Sequence, residues 1–113
     1  MEKSLNNSLM VVTPRMPFAT WAGALESRED VPEVGAVSED GTAYLVPQVR
    51  EVEDEDRILD QLHQRVFENE LSVIVKDSKL WPPQRDLDTF LEWFDVFFHP
   101  AIFDLSEDAP KAE

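Results

Sequence analysis

Residues 86–100 read Asp-Leu-Asp-Thr-Phe-Leu-Glu-Trp-Phe-Asp-Val-Phe-Phe-His-Pro. This stretch decides the fold, because everything else must pack against it. Asp86 is suited to a helix N-cap, and Pro100 stops a helix. Between them Leu87–Phe98 reads as a strongly apolar helix, with His99 in its last turn. Phe90, Leu91, Trp93, Phe94, Val96, Phe97 and Phe98 then occupy most of the circumference. Trp93 and Val96 fall beside the centre of the apolar face. Left uncovered there, they form a patch that a partner would bury, a second copy of the chain being the commonest solution.

The polar side of the same helix is equally regular. At 100° per residue, Asp88, Glu92, Asp95 and His99 lie within about 60° of one another. Glu92, Asp95 and His99 are therefore the candidate ligands for a divalent metal, because carboxylate oxygen and imidazole nitrogen suit such ions. One helix supplies too few ligands by itself, and the competing reading is a solvated face.

Upstream, the chain alternates between two periods. Leu9-Met10-Val11-Val12 is a short apolar run typical of a buried strand. Pro14 and Pro17 frame a connector. Phe18, Trp21, Ala22 and Leu25 then follow a helical spacing, with Pro17 suited to the first turn. Residues 34–37 fit a short strand. Asp40-Gly41 marks a turn. Thr42 to Val46 reads as a strand closed by Pro47. Glu51 to Asp56 holds five acids, as a helix N-terminus favours. Ile58, Leu59, Leu62 and Val66 continue as its apolar stripe, and residues 72–75 could be either helix or strand. His63 lies beside that stripe and reads as structural rather than catalytic. Lys76 to Arg85 is a loop. The expected architecture is α+β: strand, helix, strand, helix, helix, with the helices on one face of a small sheet. One domain over 1–105 and a disordered acidic tail over 106–113 are expected.

Composition narrows the function. The 113 residues carry 24 acids against 10 Lys and Arg, a formal charge of −14. Residues 1–50 account for −3 and residues 51–113 for −11. Such a surface repels nucleic acid, which is bound through clustered cations. It would steer a basic protein partner inward. No apolar run reaches the length of a membrane span. Cysteine is absent, so thiol chemistry and disulfides are excluded. Three glycines, Gly23, Gly35 and Gly41, cannot build a phosphate loop. No Gly-x-Ser-x-Gly elbow occurs. No cofactor is expected, and cytoplasm is the expected compartment.

Trp81-Pro82-Pro83 with Arg85 is the most distinctive local feature. A Trp held by two prolines beside an Arg suits protein recognition. It equally suits a loop anchor folded over the last helix. Trp81, Arg85 and Trp93 are thus the candidate interaction residues.

Pro17-Phe18-x-x-Trp21, Tyr44-Leu45-Val46-Pro47, Leu80-Trp81-Pro82-Pro83-x-Arg85, Trp93-Phe94-Asp95-x-x-x-His99 and Phe103-Asp104-Leu105 occur in that order. This succession resembles a group of small acidic bacterial proteins of unassigned function. The resemblance implies a bacterial cytoplasmic α+β domain and assigns no catalytic residue. The favoured expectation is a non-catalytic interaction or regulatory domain. The alternative is a small metal-dependent hydrolase built on Asp95, His99 and Glu92. A third is an obligate subunit with no activity of its own.

Overall fold

The computed structural model describes residues 3–4, 6–31 and 33–106. Its elements are β1 (Lys3–Ser4), β2 (Asn7–Pro14), α1 (Met16–Glu26), β3 (Thr42–Pro47), α2 (Val52–Ile74), α3 (Leu87–Trp93), β4 (Phe94–His99) and β5 (Phe103–Asp104). The fold is α+β, with the expected order of strand, helix, strand, helix, helix running from β2 to α3. A three-stranded antiparallel sheet has the order β3-β2-β4. β1 and β5 form a separate two-stranded pair. The expected tail lies outside the described residues except for Ser106, whose amide and hydroxyl donate to Asp104 Oδ1.

Residues 86–100 depart most from the expected helix. The helix begins as expected, with Asp86 Oδ1 accepting from the Thr89 amide at 2.9 Å. It ends at Trp93, and Phe94 is already extended at φ −139°, ψ 144°. Residues 94–99 form β4 and pair with β2 from Leu9↔His99 to Pro14↔Phe94. The physical reason is the apolar load. A helix would spread these aromatics around its whole circumference. A strand sorts them by parity, turning Phe94, Val96 and Phe98 inward and Asp95, Phe97 and His99 outward. Arg15 closes the junction: its amide donates to Trp93 O at 2.8 Å and its Nη1 to Leu91 O at 3.0 Å. A cation and two donors thus meet the negative end of α3.

Two smaller points are settled by the structure. Residues 72–74, open to either reading, belong to α2. Residues 34–37 form an irregular segment instead of a strand. Gly35 donates its amide to Ile74 O at 2.8 Å. A Cβ there would sit 2.1 Å from the Val73 carbonyl oxygen, so this close approach requires glycine. The turn at Asp40-Gly41 is as expected, with Gly41 at φ 84°.

The core lies between the inward face of the sheet and the helices. β2 contributes Met10 and Val12, β3 Val46, and β4 Phe94. α1 adds Phe18, Ala22 and Leu25; α2 adds Ile58, Val66, Phe67, Leu71 and Ile74; α3 adds Phe90. Phe18, Trp21, Phe67, Phe90, Trp93 and Phe94 form a continuous ring cluster with centroids 5.1–6.2 Å apart. Tilted and edge contacts of this kind add about 0.5–1.5 kcal/mol per pair beyond burial. α2 starts with a reciprocal cap between Glu51 and Asp54, which explains the acids that open it.

One buried polar residue ties the strands to the chain around them. Ser8 Oγ accepts from the Val49 amide at 2.8 Å and donates to Pro100 O at 3.0 Å. Ser8→Ala leaves the buried Val49 amide without its acceptor and the Pro100 carbonyl without this donor, and is expected to cost about 1–3 kcal/mol in urea unfolding. The cap of α3 gives a pH signature. Hydrogen bonds from Thr89, and then from Gln84, hold the Asp86 carboxyl down from the ordinary 3.8 to about 2. A depressed folded-state value stabilises above the unfolded value and ceases to do so as pH falls through the folded one. The stability gap between wild type and Asp86→Ala should therefore be full above about pH 4 and close by about pH 2, as read by chemical unfolding at each pH.

Candidate functional site

The outward face of the sheet is the feature that the helices leave bare. Its side chains fall in rows set by the register. Leu9 stands between Leu45 and His99, Val11 between Ala43 and Phe97, and Thr13 beside Asp95. Leu45 is 61% exposed and Phe97 59%. Ala43, Asp95 and His99 are exposed, while Leu9 and Val11, on the central strand, are half-buried by their neighbours. The molecule is 20 Å across its shortest dimension, which is one helical layer on one sheet at the usual ~10 Å per layer. A strand with apolar residues on both faces normally has both faces covered. Here β2 has cover on one.

The candidate metal ligands do not share one helical face. Glu92 is exposed on α3, whereas Asp95 and His99 lie on β4. Four residues of strand separate the last two by about 13 Å. Asp95 pairs with Arg15 at 3.8 Å. Among the described residues, no group of three or more His, Asp or Glu side chains converges on one point. The expected ligand stripe depended on a helix that ends at Trp93.

Trp81, Arg85 and Trp93 are engaged within the fold. Trp81 is half-buried and donates its indole N–H to Val75 O at 2.8 Å. Arg85 lies over its ring at 5.8 Å, donates to Pro82 O at 2.7 Å and approaches Glu68 at 3.6 Å. Trp93 is half-buried against Phe18, Trp21 and Phe67. The loop-anchor role weighed for Trp81 describes these contacts. His63 is half-buried, its Nδ1 lying 2.8 Å from Leu59 O in its own helix.

A second polar cluster joins β3 to α2. The Tyr44 hydroxyl donates to the buried Glu70 carboxylate and accepts from Asn69 Nδ2 at 2.8 Å. Burial, and then the Glu70 contact, push the Tyr44 phenol well above its ordinary value, so it stays a donor. Beside it a shallow groove of about 320 Å³ runs between β3 and α2, with Leu45, Leu62 and Arg65 on its walls. Tyr44 thereby links β3 to α2.

No family model, curated protein or solved structure matches the chain. Sequence reasoning missed Leu9, Val11, Ala43, Leu45 and Phe97. The signal was present in the alternation of residues 94–99 and in the unbroken run Leu9–Val12, which is apolar on both parities. Tyr44→Phe should leave Glu70 short of its donor and cost about 1–3 kcal/mol, measured by urea unfolding. Leu45→Ser, one residue away but facing outward, should cost far less in the same measurement.

Proposed function

We propose that this chain is a non-catalytic protein-interaction domain that docks through the outward face of its sheet. The uncovered row of Leu9, Val11, Ala43, Leu45 and Phe97 carries this reading. Contiguous apolar surface of this kind costs free energy in water, about 25 cal/mol per Å². Soluble chains keep it where a partner covers it.

The electrostatics support two distinct surfaces. β2, β3 and β4 together hold one carboxylate, Asp95, and one imidazole, His99. α2 alone opens with Glu53, Asp54, Glu55 and Asp56. The helical side would accelerate encounter with a basic protein partner, and the sheet face would hold what docks on it. Trp81, Arg85 and Trp93 serve the docking indirectly, by anchoring the loop and the core behind the sheet. A bacterial, cytoplasmic setting is part of the same proposal. Among the described residues, no helix is long and apolar enough to cross a membrane.

The test is affinity capture from cell lysate with wild type and with Phe97→Ser, at low and moderate salt. Both side chains at position 97 point to solvent, so circular dichroism should not change. Proteins retained by wild type and lost with Phe97→Ser are expected. An identical set for both baits, together with no self-association that depends on Phe97, would refute the sheet face as the docking surface.

A further inference from the structure

We propose that the occupant of the sheet face is a second copy of this chain, packed face to face about a twofold axis that crosses β4 at Phe97. This rests on the docking-face reading and names its partner. The first support is charge. A chain of −14 resists its own copy almost everywhere. The outward sheet face is the exception. Its charged or titratable groups are Asp95 and His99 on β4, with Arg15 beside Asp95. β2 and β3 present Asn7, Leu9, Val11, Thr13, Ala43 and Leu45, none of them charged. Two acidic molecules can meet there without pressing acid on acid.

The second support is the order of groups along β4. Asp95, Phe97 and His99 are successive outward residues, evenly spaced about Phe97. A twofold interface uses one patch twice, so each contact must be its own complement or be repeated. An antiparallel overlay centred on Phe97 lays that ring on its counterpart. It also sets each Asp95 opposite His99 of the second copy, twice. The register carries the rest: Val11 and Ala43 share the Phe97 row and meet their own kind, while Leu9 faces Thr13. Acid meets imidazole at both ends, and apolar groups meet between them. The product is a two-layer sheet sandwich with helices outside both layers.

The face is only three strands wide, so association is expected to be weak, with a Kd in the range of about 1–100 µM. It should tighten as salt rises, because screening removes the long-range repulsion between two acidic chains. A basic partner drawn to the helical side would show the opposite trend.

Sedimentation velocity on the full chain, from about 5 to about 500 µM, tests this. Wild type should pass from monomer to dimer, and Phe97→Ser should stay monomeric with an unchanged circular dichroism spectrum. Leu45→Ser provides a second outward substitution that should weaken the dimer. His99→Asp sets carboxylate against carboxylate and should weaken it at least about tenfold. The exchanged double variant, Asp95→His with His99→Asp, restores each pairing and should recover most of that loss. A monomer at all concentrations overturns the proposal, as does a dimer indifferent to Phe97→Ser. A dimer that needs Phe97 but is not rescued by the exchange overturns the twofold placement. The two readings fail separately. A monomeric chain whose captured proteins still depend on Phe97 refutes self-association and keeps the docking face. A monomeric chain with no such dependence refutes both.

Discussion

β2 is the constraint on which the rest of this molecule depends. It pairs with β3 along one edge and with β4 along the other, so neither neighbour belongs to a sheet without it. Its alternation fixes the polarity of both. Ser8, Met10 and Val12 point to the helices, and the register obliges Val46, Tyr44, Phe98 and Val96 to follow. A slip of one residue would turn every one of these outward and bring Leu9 and Val11 into the core. Ser8 resists that slip, because its hydroxyl bonds to Val49 and Pro100, which lie just beyond the ends of the two partner strands.

The helices answer to the same constraint. α1 leaves β2 through Arg15, and that residue also receives the end of α3. The turn from α3 into β4 is thereby held against the exit of β2. Phe90 and Phe94 lie on opposite sides of the turn with ring centroids 5.2 Å apart, and Phe67 from α2 contacts both. Trp21 and Trp81 satisfy their indole donors on carbonyls of Leu80 and Val75, pulling the loop after α2 over this cluster. The aromatics that crowd the C-terminal half are thus divided by position. Phe90, Phe94 and, in part, Trp93 and Phe98 pack into the core, whereas Phe97, on the outward parity of β4, faces solvent.

Much of this was legible in the chain. Leu9–Val12, the Pro17 helix start, the Asp40-Gly41 turn and the acidic opening of α2 all carry local signals, and each element formed where its signal lay. Residues 94–99 were different. Their apolar density satisfies a helical and a strand pattern equally, and Asp86 caps a helix whether it runs two turns or three. What decides is pairing with β2 at the other end of the sequence, and no local window contains that pairing. The site shared the fate of this segment. Read as a helix, the sequence sets Asp95 and His99 one turn apart. On a strand they become the first and last outward residues of β4, with Phe97 between them, and no longer share a helical face.

The two faces of the sheet also explain why so acidic a chain folds at all. Net charge opposes compaction through self-repulsion. That opposition is least where carboxylates are kept on the helical layer and tied to caps, as Asp54 and Asp86 are. The sheet holds one acid, and Arg15 sits against it. Removing charge from the strands leaves their outward parity to be filled by something neutral, and in this sequence the filling is apolar: Leu9, Val11, Ala43, Leu45 and Phe97. Serine and threonine would have served solubility better at those positions and suited a strand tolerably well. On a sheet with helices on one side only, these five positions leave the apolar side chains of the outward parity without cover from the fold itself.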